Sequence, residues 1–341
     1  MITASVHPRQ LEQRSWQQQL AEAITTPQEL AAALDLPAEA VTAAARAGEA
    51  FALRVPRAFL DRMRRGDADD PLLRQILPAA AELEGDSRYV SDPLDERSAG
   101  RAPGLLQKYG RRALLIATST CAVHCRYCFR REFPYAGQLG DAPRWREALD
   151  AIAADESLEE IILSGGDPLS LSNARLERLT RSLEAIAHVK RIRVHTRTPV
   201  VLPSRVDAGL LEWLRAAARP MVLVLHVNHP AELDPRALEA CARLRATGAI
   251  LLNQSVLLAG VNDSVEVLAT LSEKLFAASV LPYYLHVLDK VRGSAHFEVP
   301  ETRARALAGA LAARLPGYLV PRLVRELPGA PSKVPLSPVF S

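Results

Sequence analysis

Nothing in this sequence approaches about 18 consecutive apolar residues, and the opening stretch MITASVHPRQLEQRSWQQQL lacks the apolar segment of a signal peptide. Such a chain is expected to stay in the cytoplasm with no membrane span. Charge of one sign is scarce as well. The 42 Lys and Arg against 39 Asp and Glu leave a net +3, and the basic residues are scattered rather than striped. That argues against a nucleic-acid-binding surface. There is no internal repeat and no low-complexity tract. Cysteine is the most telling scarcity: of four in the chain, three fall between 121 and 128. A secreted disulfide scaffold would spread and pair them, so the cluster points to a metal or redox site in a reducing compartment.

What is present reads as a globular protein, 48% hydrophobic and 24% charged, with 341 residues to build one large barrel and a smaller domain. The first hundred residues predict helices. SWQQQLAEAITTPQELAAAL, PAEAVTAAARAGEAF and PRAFLDRMRRG carry apolar residues at three- and four-residue spacing, separated by Thr-Pro and Leu-Pro breaks. A polar linker, EGDSRYVSDPLDERSAGRAPG, follows. After Gly104, β-rich runs alternate with amphipathic segments: ALLIATST, EIILSGGD, RIRVHTRTP, MVLVLHVNHP, AILLNQSVLLAG and LPYYLHVLD. Alternating β and α units predict a parallel sheet. Cys121, Asp167, Arg197, His226, Gln254 and Asp289 sit where successive runs end. Chemistry at so many strand ends favours a barrel over an open sheet, whose ligands gather at a switch point. The expected organisation is a helical domain and linker over 1–100, a partial barrel over 101–320 and a C-terminal segment over 321–341.

TSTCAVHCRYCFRR holds Cys121, Cys125 and Cys128 in a C-x3-C-x2-C spacing. Three thiolates leave a metal site one ligand short. One solution is zinc with a distant fourth ligand, such as Cys241 or a histidine; a zinc-bound interaction module would follow from it. The other is an iron–sulfur cluster whose fourth position stays open for a small molecule. Cys241 lies in the amphipathic PRALEACARLRATG, where a small buried hydrophobe is expected. LSGGDPL reads alone as a strand-to-helix turn with Asp167 as a cap. Lys333, in RELPGAPSKVPLSP, reads alone as a solvated lysine, although lysine is also the residue that bonds pyridoxal phosphate (PLP).

The cysteine block followed by Gly165, Gly166 and Asp167 resembles the radical S-adenosylmethionine (SAM) superfamily. From about Ser91 to Pro335 the chain resembles the lysine 2,3-aminomutase family, through DPLDE, PGLLQKYGRRALL, CRYCFRR, LSGGDPL, RVHTRTPVVLP, NHP, NQSVLLAGVND, YYLHVLD and PGAPSKVP. The resemblance implies an α/β fold, a radical SAM partial (β/α)6 TIM-like barrel behind the N-terminal helical domain. It implies a [4Fe–4S] cluster on Cys121, Cys125 and Cys128, with SAM near Tyr127, Gly165, Gly166, Asp167, His226 and Gln254. PLP would be bonded to Lys333 and held by Lys108, Tyr109 and Arg112. Arg130 would pair with the substrate carboxylate, and Asp289 with Glu326 would grip its side-chain ammonium; Glu326 stands where the family has aspartate.

The implied reaction turns L-α-lysine into β-lysine by 2,3-amino migration through a PLP aldimine. The ending PRLVRELPGAPSKVPL resembles that of bacterial members that supply β-lysine for modification of elongation factor P. That implies a functional link to an elongation factor P lysine ligase and a flavodoxin- or ferredoxin-type reductant. The alternatives are a lysine 2,3-aminomutase of β-lysine metabolism and a radical SAM enzyme acting on another amino acid.

Overall fold

Ten strands form one continuous sheet in which each strand pairs with its sequence neighbours. The computed structural model describes residues 14–37, 45–135 and 142–340. β1 (Gly100–Ala102), β2 (Leu105–Tyr109) and β3 (Arg112–Thr118) make an antiparallel meander. From β3 the sheet is parallel through β4 (Glu160–Gly165), β5 (Arg191–Thr196), β6 (Met221–His226), β7 (Ile250–Val256), β8 (Leu281–His286) and β9 (Arg322–Arg325). β10 (Val334–Pro335) returns antiparallel to β9. The six β-rich runs of the sequence are β3 to β8. The sheet continues past residue 320, because β9 adds a seventh parallel strand from a four-residue stretch too short and too charged to announce itself.

The crossovers are helical, as alternating units require. α1 (Trp16–Ala21) and α2 (Pro27–Leu34) precede the sheet. α3 (Ala142–Ala154), α4 (Asn173–Glu184), α5 (Ala208–Ala216), α6 (Pro235–Arg245), α7 (Val265–Ala277) and α8 (Glu301–Arg314) connect its parallel strands. Asp207, Asp234 and Ser264 cap α5, α6 and α7 by accepting from Leu210, Ala237 and Val267 N–H groups.

Side chains alternate between the two faces of each strand. Leu115, Leu163, Val194 and Leu223 point outward into one large core with Leu176, Leu179 and Leu244 of the helices, where Cys241 is fully buried. The opposite face carries Arg112, Ser164, Arg193, His195, His226, Gln254 and His286, which line a cavity. TIM barrels fill that space with branched apolar side chains; here it is polar and hollow.

The N-terminal region forms shorter helices than its periodicity suggests. PRAFLDRMRRG yields only Arg57–Leu60, and residues 38–44 of the third expected helix lie outside the described residues. Its core packs Ile24, Leu30, Phe59 and Leu72 against Ala122 and Val123 of the cysteine loop and Val201 and Leu202 after β5. It therefore covers the end of the barrel at which the parallel strands finish. Among the described residues no helix is long and apolar enough to cross a membrane.

Candidate active site

The cysteine loop leaves the end of β3 and is held from outside by the N-terminal region. Arg126, with no solvent exposure, donates from Nε (2.8 Å) and Nη2 (2.6 Å) to Glu82 and from Nη1 to the Phe51 carbonyl (2.7 Å). Arg131 also donates to Glu82, at 2.7 Å. Burial pushes the Glu82 carboxyl up, but the two arginines outweigh it and hold it below the usual carboxylate range. The Arg126 and His124 N–H groups donate to the carbonyls of Gln75 (2.9 Å) and Arg54 (3.0 Å). None of the four cysteines is in a disulfide, and Cys121, Cys125 and Cys128 line the cavity while Cys241 does not. Burial pushes the Cys121 thiol up, and Cys128 to about 11, so both stay protonated until a cation offsets the burial. Among the described residues no three His, Cys, Asp or Glu side chains converge tightly enough for a single ion.

Beside it, Gly165 has φ +109°, and a Cβ there would stand 2.5 Å from the Thr118 carbonyl; at Gly166 a Cβ would stand 2.5 Å from the Thr120 carbonyl. Only glycine lets the β4 turn lie this close to the cysteine loop. Asp167 Oδ1 accepts from Thr196 Oγ1 (2.7 Å) and the Leu169 N–H (3.0 Å), and Oδ2 from the N–H groups of Arg197 (2.7 Å) and Thr198 (2.9 Å). Its carboxylate thus ties the turn to the end of β5.

All sixteen residues that the resemblance assigns to cofactors or substrate line one cavity of about 270 Å³. At its far side an ion chain joins the two ends of the sheet. Arg130 donates from Nε (2.7 Å) and Nη2 (2.8 Å) to Glu96, and Lys108 Nζ lies 3.1 Å from Glu96 and 2.9 Å from Glu326. Glu326 also pairs with Lys333. Burial pushes Glu326 up, yet Lys333 and Lys108 hold it well below the usual range. Burial and then the charge of Glu326 push Asp289 the other way, up to about 7. The Arg112 guanidinium lies 4.5 Å from the Tyr109 ring centroid.

Several residues of this site escaped the sequence reading. Glu96, Glu82 and Gln75 come from the N-terminal region, where nothing suggested chemistry. A second buried network lies under the cysteine loop. Arg197 donates from Nη1 to Tyr127 Oη (2.8 Å) and Cys125 Sγ (2.8 Å), and from Nη2 to Gln75 (2.7 Å) and Glu232 (2.9 Å). Asn228 Nδ2 donates to Tyr127 Oη at 2.7 Å. His195, His226 and His286 line the cavity, each with a buried Nε2 that has no hydrogen-bond partner. Burial pushes all three imidazoles down, His226 to about 4, so they are neutral. The polar/apolar alternation of RIRVHT carried a signal for His195 and Arg193.

A model of the radical SAM superfamily matches residues 115–271. The chain is 49% identical over 322 residues to the L-lysine 2,3-aminomutase of Escherichia coli (strain K12), covering 94% of each. It is 43% identical to that of Haemophilus influenzae, over 94% of this chain and 95% of the relative. With that of Clostridium subterminale it shares 36%, over 95% of this chain and 78% of the relative. The chain belongs to the L-lysine 2,3-aminomutase family and is a radical SAM aminomutase, an isomerase. Its cofactors are a [4Fe–4S] cluster, SAM and PLP. The residues present fit them: three cavity-lining thiols for iron, a glycine turn and unpartnered imidazoles for a polar nucleoside, and a cavity lysine that shares Glu326 with the Lys108 ammonium for a phosphorylated aldehyde.

Proposed function

We propose that the protein converts L-α-lysine to β-lysine by moving the α-amino group to Cβ. The observation that carries this reading is the enclosure of the three cysteines, Lys333, Arg130, Asp289 and Glu326 in one cavity. When bound, the cluster with SAM supplies a carbon-centred radical and PLP an electron-delocalising ring.

The chain's own residues bind, orient and exclude water. Cys121, Cys125 and Cys128 would hold the cluster; Tyr127, Gly165, Gly166, Asp167, His226 and Gln254 would surround SAM, Asp167 by fixing the turn. Lys333 would hold PLP, with Lys108, Tyr109 and Arg112 toward its anionic end. Arg130 would take the substrate carboxylate, a role suited to a forked donor. Asp289 would receive the side-chain ammonium, whose charge favours the ionised carboxylate over the acid that burial favours. Glu326 acts on the same ammonium from a position it shares with Lys333 and Lys108.

The three cavity histidines are neutral and add no charge to the site, and the N-terminal region packed on the cysteine loop would keep a radical from water. We further assign the β-lysine to modification of elongation factor P through its lysine ligase, and the reducing electron to a flavodoxin- or ferredoxin-type donor. This assignment rests on the resemblance of the C-terminal ending.

Anaerobic protein reconstituted with iron, sulfide, SAM and PLP, then given dithionite and L-lysine, is expected to form β-lysine, resolved by chiral chromatography. L-Glutamate is expected to react far more slowly, because its distal carboxylate meets Asp289 and Glu326. Faster conversion of glutamate than of lysine would remove the substrate assignment.

A further inference from the structure

We infer that Glu96 is a positioning residue: it fixes which edge of the Arg130 guanidinium faces the cavity and thereby governs recognition of the substrate α-carboxylate. The inference rests on the reading of Arg130 given above and deepens it.

The turn that delivers Glu96 is built for the purpose by DPLDERS. Asp92 Oδ1 accepts from the Glu96 N–H (2.9 Å) and Oδ2 from the Arg97 N–H (3.1 Å). Asp95 takes a left-handed φ of +50°, and Leu94 is buried, which turns the next side chain inward. The Glu96 side chain is 2% exposed. A carboxylate this buried is costly unless paired, and it has two cationic partners, Arg130 and Lys108. Burial pushes its carboxyl up, but Arg130 and Lys108 hold it below the usual range, so it is ionised.

A guanidinium has five N–H donors in a rigid plane. Glu96 takes Nε and one hydrogen of Nη2, and Ser164 Oγ accepts from Nη1 at 3.0 Å. One hydrogen each on Nη1 and Nη2 remains. Phe129 and Phe133, with ring centroids 4.8 and 5.9 Å from the guanidinium carbon, fix its plane. The remaining pair matches the two oxygens of a carboxylate. Glu96 also offsets part of the Arg130 charge, so its removal alone would tighten carboxylate binding. The inference therefore commits to a direction: loss of orientation outweighs the gain in charge.

The test compares binding of L-lysine and L-lysinamide, which lacks the carboxylate, to the anaerobic holoenzyme through the absorbance change of bound PLP. In Glu96→Gln the lysine Kd is expected to rise about tenfold, the scale of one charge-assisted hydrogen bond. The lysinamide Kd is expected to stay put, with iron and PLP contents at wild-type level, and Glu96→Asp to recover part of the loss. Unchanged or tighter lysine binding in Glu96→Gln, with Arg130→Gln erasing the preference for lysine, overturns the role of Glu96 and leaves that of Arg130. Equal weakening of both ligands marks Glu96 as a general prop and also overturns it. Arg130→Gln retaining the preference sinks the underlying reading instead.

Discussion

Two buried polar networks flank the cavity, and they differ in balance. Under the cysteine loop, Arg197 meets Glu232, and Gln75, Tyr127 and Asn228 fill the surrounding positions: one cation, one anion and neutral groups bonded to each other. At the far wall Arg130, Lys108 and Lys333 share only Glu96 and Glu326, with Asp289 pushed up to about 7 beside them. The first network balances its charge within the protein and fixes the loop, although the buried Arg197 Nε has no partner in it. The second has a cationic surplus that an anionic ligand would neutralise. The comparison separates a framework from a receptor, and the framework is the more deeply buried: its ion pair is 6% and 0% exposed, against 18% and 11% for Lys108 and Glu326.

The largest effect expected falls on the receptor. Lys333→Ala should remove the bound-PLP absorbance and reduce β-lysine formation to background, measured anaerobically on iron-loaded protein. Retained absorbance would mean that another lysine holds PLP. In the framework the damage should be to folding instead. Arg197→Gln leaves Glu232 buried without its cation and is expected to lower stability by about 3–5 kcal/mol in denaturant titration. Lys108→Met, which breaks half-buried pairs at the sheet ends, should lower it by about 1 kcal/mol. Equal losses would erase the distinction between the two networks.

The smallest effect concerns pH. Asp289 has a folded-state pKa of about 7, raised from an ordinary 3.8, so its contribution is full below about pH 4 and is lost as pH rises through 7. Histidines with lowered pKa values have the opposite slope, so the informative quantity is a difference. In cofactor-free protein, the wild-type Tm minus that of Asp289→Asn should fall between pH 4 and 7.5. A flat difference would mean that Asp289 titrates as an exposed carboxylate.

Much of this was legible in the sequence for simple reasons. Strands β3 to β8 are runs of branched apolar residues bounded by Gly, Pro and polar clusters, and a three-cysteine spacing is rare enough to speak for itself. β9 was not legible because RLVR is short and charged at both ends. Glu82 and Glu96 were hidden for another reason. Each acts on an arginine 44 or 34 residues away, and nothing local marks an acid in a polar linker as one that will be buried. Asp167 illustrates a third case, since cap and functional residue share one sequence signature and the carboxylate is taken up by backbone and threonine donors.

The sheet's two ends are joined across the mouth by Lys108, on β2, and Glu326, just past β9, and among the described residues no backbone ladder pairs β1 with β10. A clasp so little exposed is screened only weakly by salt, but unlike strand pairing it depends on two single charges. Removing either one should loosen the rim and speed exchange of small molecules while every strand keeps its neighbours.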